Sequence, residues 1–236
     1  MSVEQQSLEG KIDIKSLELE ELTGQLAQMG QPKFRGGQVY SWLHEKRVDS
    51  FDQMSNLPAA LRQSLGERYY INSLSVVKKL TSKIDGTQKY LLRLRDNNCV
   101  EAVLMRYKYG NSVCISTQVG CRMGCKFCAS TLAGLVRSLT PAEMLDEIYT
   151  LTRESGQRVS NVVLMGIGEP LDNFENVMKF MRILSSPQGD NRSLRHLSLS
   201  TCGLVDRIYE LAEQKLGLTL SISLHAPNDA IRSQTM

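Results

Sequence analysis

The chain has 236 residues, 42% hydrophobic and 22% charged, the composition of a globular protein able to bury one sizeable core and a small second domain. A net charge of +3 announces no nucleic-acid partner by itself, and no apolar run approaches the ~20 residues of a membrane-spanning helix. Residues 1–10 are polar and acidic where a secretion signal is basic and then apolar, and six cysteines with three crowded between 121 and 128 do not resemble a secreted disulfide framework, so a cytoplasmic protein with no membrane partner is expected.

Residues 14–70 read as short helices. Ser16 is positioned to cap a first helix running to Gln28, the stretch 36–46 carries Val39, Tyr40, Trp42 and Leu43 on one side, and Pro58 suits the first turn of a third helix near 58–69. Phe34 and Trp42 are assigned to the small core of this region. From Ser75 the pattern changes to strands. Segments 89–94 and 100–107 flank the turn signal Asp96-Asn97-Asn98, which predicts a β-hairpin, and Asp85-Gly86 marks an earlier turn. Between Lys78 and Lys108 the basic residues Lys78, Lys79, Lys83, Lys89, Arg93, Arg95, Arg106 and Lys108 face only Asp85, Asp96 and Glu101. Such a stripe can neutralise phosphates, and a solvated strand face explains it equally well.

Beyond the hairpin, strands predicted at 112–116, 161–165, 195–200 and 218–223 alternate with helices at 141–154, 174–184 and 205–213. That alternation is the signature of a parallel sheet with crossover helices. Thr140 before Pro141, with Glu143 three residues on, makes a capping-box start. The chain stops just past the fourth strand, where a parallel sheet would leave an open edge. The expectation is a truncated barrel from a longer polypeptide.

Chemistry concentrates in Val119-Gly120-Cys121-Arg122-Met123-Gly124-Cys125-Lys126-Phe127-Cys128. Closed zinc sites need four protein ligands, whereas an iron–sulfur cube held by three cysteines keeps one iron open for a small molecule. Gly120 and Gly124 relax the loop backbone, and Phe127 can shield a cluster. Zinc with Cys114 as fourth ligand, or unligated thiols, are the alternatives. The second parallel strand ends in Met165-Gly166-Ile167-Gly168-Glu169-Pro170, at the strand end where open parallel sheets bind ligands; Glu169 can accept from an ammonium group. Ser200 and Ser223 bring hydroxyls to the same rim; serines there often only satisfy turns and a single His225 is more often a bonded structural residue than a ligand, but four strand ends carrying polar groups at one rim shift the balance toward a site. Cys114 and Glu101 are by default a small hydrophobe and a solvated charge. His44 and His196 are assigned no role, and Cys99 and Cys202 are read as packing residues.

The cysteine spacing, with Phe127 before the last cysteine, resembles that of radical S-adenosylmethionine (SAM) enzymes. Phe34-Arg35-Gly36-Gly37-Gln38-Val39-Tyr40-Ser41-Trp42, then Glu101, Cys114 to Cys128, Gly166 to Pro170 and Ser221 to Asn228 follow in order. Together, from about residue 14 to 236, they resemble the dual-specificity RNA adenine-C2 methyltransferases. The resemblance implies an α/β fold, a partial (β/α)6 radical SAM barrel, incomplete here. It would comprise a small helical N-terminal RNA-binding domain (1–72), a β-hairpin extension (73–111) and the N-terminal part of the barrel (112–236).

It further implies a 4Fe-4S cluster on Cys121, Cys125 and Cys128, and SAM contacts from Gly168, Glu169, Ser200, Ser223, Leu224 and His225. Glu101 is implied as proton acceptor and Cys114 as the thiol that forms a transient disulfide. The implied reaction methylates adenine C2 in 23S rRNA and tRNA through a methyl-cysteine and a 5′-deoxyadenosyl radical. It uses two SAM per turnover and an electron donor such as flavodoxin, in a monomer. The related adenine-C8 rRNA methyltransferase of antibiotic-resistance type shares these motifs. A catalytically inactive RNA-binding fragment with structural zinc is the third reading. The family's methyl-carrying cysteine lies in a C-terminal segment that residues 1–236 do not match, so these residues alone are expected not to turn over.

Overall fold

The computed structural model describes residues 10–236, so the acidic stretch weighed against a secretion signal lies, except for Gly10, outside the described residues. The helical region opens with β1 (Ile12–Asp13) and a 3-10 turn over Ile14–Ser16, followed by α1 (Leu19–Gln28), α2 (Phe34–His44), α3 (Ala59–Arg68) and β2 (Tyr69–Tyr70), which pairs in parallel with β1. Ser16 does not cap α1. It ends the preceding turn and its Oγ accepts from Ala142 N at 3.2 Å, while the backbone N–H of Glu18 donates to the Glu21 carboxylate at 2.8 Å. Pro58 is the cap of α3 and not its first residue. Phe34 is 59% exposed, outside the core to which its size assigned it; Trp42 is partly buried against that core and donates its indole N–H to Asn56. Leu22, Leu26, Val39, Tyr40, Leu43 and Leu65 fill the interior instead.

The next elements are β3 (Ser75–Thr81), β4 (Gln88–Arg93), β5 (Cys99–Tyr107) and β6 (Gly110–Ile115). After β7 (Gln118–Gly120) and β8 (Leu135–Ser138) come α4 (Pro141–Ser155), β9 (Val159–Leu164), α5 (Phe174–Ser185), β10 (Leu197–Thr201), α6 (Val205–Glu213), β11 (Thr219–Ile222) and α7 (Asp229–Thr235). The expected hairpin β4–β5 forms, and β6 continues it antiparallel on one side while β3 adds on the other. One mixed seven-stranded sheet results, in the order β11-β10-β9-β6-β5-β4-β3, parallel from β6 to β11. The β7–β8 ribbon and α7 were not anticipated; their segments are too short to show a period.

Alternation along the strands sorts the two faces of the sheet. Val100, Ala102, Leu104, Val113, Ile115, Val162, Leu164, Leu197 and Leu199 are buried in the core. Glu101, Val103, Cys114, Val163, Met165, Ser198 and Ser200 fall on the other, partly open face. Helix α4 is the central helix, buried from Pro141 to Leu151. The capping box of Thr140 and Glu143 starts it and Gly156, at φ 63°, ends it. No helix among the described residues is long and apolar enough to cross a membrane.

A buried charge on α4, Asp146, is matched by groups of the helical region. The Lys15 ammonium lies 2.6 Å from Asp146 Oδ1 and 2.7 Å from the Asn72 carbonyl, and Asn72 Nδ2 donates to Asp146 Oδ2 at 2.7 Å. This network joins the helical region to α4. Beside it, burial and then the Asp146 charge push the Asp13 carboxyl up from 3.8 to about 7. The native state thus holds a proton that the unfolded chain releases near pH 4, so this group's contribution to stability falls as pH rises from about 4 to about 7 and is level above that. Asp13→Asn is therefore expected to raise the melting temperature at pH 8 and to leave it unchanged at pH 4. A thermal melt showing the same gain at both pH values would contradict that assignment.

Candidate active site at the carboxyl ends of the parallel strands

The sheet's parallel half delivers four loops to one rim, and the loop after β6 carries the cysteines. Strand β6 is prolonged by residues that bind across to β9: Gly166 N donates to Ile115 O, and Thr117 N donates to Ile167 O at 2.8 Å. Ser116 is the hub of this junction, donating its Oγ to Glu101 O and accepting from Ile167 N. Its own N–H reaches Glu147 Oε2 of α4 at 3.0 Å. Burial raises the Glu147 carboxyl well above its usual range, which favours the neutral acid inside α4.

The chain then turns through the β7–β8 ribbon, whose register shifts at Gly120. Gly120 has φ 74°, and a Cβ there would meet Gly134 O at 1.9 Å, so only glycine allows the ribbon to close and the cysteine loop to leave it. Thr131 Oγ1 donates toward the carbonyls of Cys125 and Cys128, and Lys126 N donates to Thr235 O of α7 at 2.9 Å. Cys121 is buried, while Cys125 and Cys128 are half-buried and all six cysteines are free thiols. Phe127, expected to shield a cluster, is 58% exposed and tilts against the His225 ring at 4.7 Å. That contact ties the cysteine loop to the chain beyond β11.

Cys121, Cys125 and Cys128 wall one cavity of about 310 Å³ together with Gly168, Glu169, Ser200, Cys202, Ser223 and His225. Ser200 Oγ and Ser223 Oγ lie 3.1 Å apart. Three residue groups that the sequence spreads over a hundred positions thus meet in one place. The thiols line its wall without converging on one point, and no group of three His, Cys, Asp or Glu among the described residues is placed to hold a single ion. Three unpaired thiols on a glycine-relaxed loop, facing a cavity with a serine pair opposite, match the donor chemistry of a thiolate-held iron–sulfur cluster with a polar ligand beside it.

Glu169 is 4% exposed and already engaged. Its two oxygens accept from Leu171 N at 3.0 Å and Cys202 N at 2.8 Å, and its own N–H donates to Gln118 Oε1. A carboxylate has lone pairs to spare for a ligand ammonium, so Glu169 both braces the rim and can serve it. Cys202, read from sequence as a packing residue, lines the cavity instead. Leu224 is 61% exposed and outside the cavity wall; its carbonyl accepts from Arg232. Arg232 also holds the carbonyls of Cys202 and Ser223, so α7 pins the ends of β10 and β11.

Glu101 and Cys114 lie off the cavity but on the same open face, two strands and one strand from β9. Glu101 pairs with Lys89 at 2.8 Å. Burial pushes the Cys114 thiol up to about 11, so it is protonated at neutral pH. His44 is buried against Tyr149 and His196 bonds Asn161. The sequence reading missed the amides that set the loops: Gln118, which spans Glu169 N and Asp172, and Asn173, which donates to the carbonyls of Thr117 and Leu139. Polar side chains flanking the two motifs were the only available signal.

The chain is similar to known proteins over both its helical region and its parallel sheet. Residues 12–71 match the profile of the ribosomal RNA large subunit methyltransferase N-terminal domain, and residues 115–235 that of the radical SAM superfamily. A protein of Lachnospira eligens named probable dual-specificity RNA methyltransferase RlmN is 56% identical over 224 residues, 95% of this chain and 64% of its own length. A protein of the same name from Lachnoclostridium phytofermentans is 54% identical, covering 98% of this chain and 65% of its own length. The chain thus spans somewhat under two thirds of the length of these curated relatives. The crystal structure of a radical SAM methyltransferase from Sphaerobacter thermophilus superimposes with a TM-score of 0.89 at 38% identity, over 95% of this chain and 67% of that one.

Proposed function

The chain belongs to the radical SAM superfamily, and from that premise we propose that it is the SAM-cleaving part of an RNA adenine-C2 methyltransferase acting on 23S rRNA and tRNA in the cytoplasm. The observation that carries the reading is the single cavity where three free thiols meet the Gly168-Glu169 segment and the Ser200–Ser223 pair. The names of the relatives support the substrate class. In this reading the helical region, 1–72, takes part in RNA binding, 73–111 extends the sheet, and 112–236 is the barrel portion.

Cys121, Cys125 and Cys128 would hold a 4Fe-4S cluster, which when bound supplies the electron that cleaves SAM to a 5′-deoxyadenosyl radical. The other roles belong to this chain's own groups. The narrow backbone at Gly168 lets the amino-acid end of SAM approach, and Glu169 accepts from its ammonium. Ser200 and Ser223 offer hydroxyls to its carboxylate or ribose, and His225 and the Leu224 backbone close that side. Glu101, paired with Lys89, accepts the proton that leaves adenine C2. Cys114, kept as a thiol by burial, supplies the sulfur for the disulfide that frees the product from a methyl-cysteine adduct. One SAM serves as methyl donor and a second as radical source, with an electron donor such as flavodoxin and a monomeric enzyme.

Anaerobic reconstitution with iron and sulfide, followed by incubation with SAM, a reductant and rRNA or tRNA fragments, tests the reading. A brown protein whose visible spectrum responds to SAM, and which forms 5′-deoxyadenosine, supports it. 2-Methyladenosine by mass spectrometry fixes the C2 product for the protein carrying its methyl-bearing cysteine. 8-Methyladenosine would assign the C8 reaction instead, and a colourless protein with one zinc would overturn the radical mechanism.

A further inference from the structure

The basic stripe of the sequence divides between two faces once the strand register is known. Lys78 stands opposite Leu91, and Leu91 opposite Glu101. One row along, Leu80 faces Lys89, Lys89 faces Val103, and Val103 faces Cys114. Arg93 stands opposite Cys99 in the same alternation. Directly paired residues project to the same side of a sheet, so Lys78, Lys89 and Arg93 share the open face with Glu101 and Cys114. Lys79 and Tyr90 project to the other side, where the Lys79 ammonium covers the buried Tyr90 ring at 5.2 Å.

Glu101 is the only carboxylate on this face of β3, β4 and β5, and Lys89 offsets it. Lys78 and Arg93 are exposed and make no ion pair among the described residues. At the lower end of the same face Tyr107, 46% exposed, stacks on Tyr109, 76% exposed, with centroids 5.1 Å apart and planes within 5°. Exposed lysines on an edge strand have a simpler use, since they deter edge-to-edge pairing. That accounts for Lys78 and Lys79 alike. It does not account for Lys89 and Arg93 on β4, which has a neighbour on both sides, nor for a stacked aromatic pair in water.

We propose that the open face of β3–β5 is the track on which the RNA strand flanking the target adenine lies, with Lys78 and Arg93 neutralising phosphates and the Tyr107–Tyr109 stack receiving a base. This deepens, and rests on, the reading of the substrate as RNA. Strands are spaced about 4.8 Å apart, so Lys78 on β3 is only about 14 Å across the sheet from Cys114 on β6. A strand held there enters the catalytic face directly. Cationic grooves with aromatic platforms bind single-stranded nucleic acid without sequence preference, which suits one site serving two kinds of RNA.

The test is fluorescence anisotropy with a labelled single-stranded RNA 12-mer across a salt series, using the full chain, Lys78→Ala/Arg93→Ala and the matched edge control Lys79→Ala. The double variant is expected to weaken binding at least about tenfold at low salt. The slope of log affinity against log salt should fall by about 1.4, the value for two lost single-strand phosphate contacts. Lys79→Ala should stay within about twofold. Equal affinities for parent and double variant, or an equal loss in Lys79→Ala, would overturn the track while leaving RNA as substrate. Absence of RNA binding by the parent chain would overturn the substrate reading and the track together. Photo-crosslinking of 4-thiouridine RNA gives a second readout that no folding defect can mimic: adducts on peptides 75–109 support the track, and adducts confined to other peptides refute it.

Discussion

Cys121→Ala, purified without oxygen and reconstituted, is expected to bind about one iron or less where the parent binds about four, and to lose the visible absorption and its response to SAM. Two thiolates cannot hold three corners of a cube. The fold should survive, because the change removes a single sulfur atom from the buried Cys121, a small truncation that costs about 1 kcal/mol. The loop keeps its backbone bonds, from Cys121 N to Gly134 O at 3.1 Å and from Lys126 N to Thr235 O at 2.9 Å. Far-UV circular dichroism and a melting temperature within a few degrees of the parent would separate cluster loss from unfolding. A folded variant that still loads about four irons would remove Cys121 from the ligand set.

Gly168→Ala should abolish measurable SAM binding, a loss of at least about a hundredfold, and destabilise the chain by about 2–4 kcal/mol. The residue sits at φ 103°, and a Cβ there would lie 2.5 Å from Gln118 Cβ. Backbone strain of this kind costs about 1–3 kcal/mol, and the overlap adds to it. Gln118 cannot retreat freely, since its amide holds both Glu169 N and Asp172. The strain therefore passes to Glu169 and to the Cys202 N–H that it anchors. Gly30→Ala is the matched control: φ is 73° there and nothing lies within 4 Å of an added Cβ. It should show the backbone cost alone and leave SAM binding intact in isothermal titration. Equal SAM affinity in Gly168→Ala and the parent would show that this segment does not approach the ligand.

Local signals carried much of the fold because they act over a few residues. The capping box at Thr140 and Glu143 starts α4 where the sequence placed it, the Asp96-Asn97-Asn98 turn closes the β4–β5 hairpin, and the parallel strands lie within a few residues of their predicted bounds. Errors arose where a local rule competed with a tertiary one. Ser16 can cap a helix, but its hydroxyl is used by Ala142 N from a different element. Phe34 is large enough for a core, but the smaller Val39 and Leu43 fill it.

The cysteine spacing and the Gly-x-Gly-Glu-Pro run are contiguous, and contiguous motifs are legible whatever the fold, so the sequence by itself determined the family resemblance and the order of the main strands and helices of the parallel sheet. Which residues share a face depends on strand register, and a slip of one residue would move every side chain to the opposite side. Only the tertiary structure could therefore put Cys202 into the cavity wall and leave Leu224 outside it, commit Glu169 to bracing the rim, and split Lys78 from Lys79. It also decided that Gln118, Asn173 and Arg232 hold the loops, because a buried amide or a half-buried guanidinium acquires its role from carbonyls and carboxylates of other elements, which local sequence patterns do not reveal.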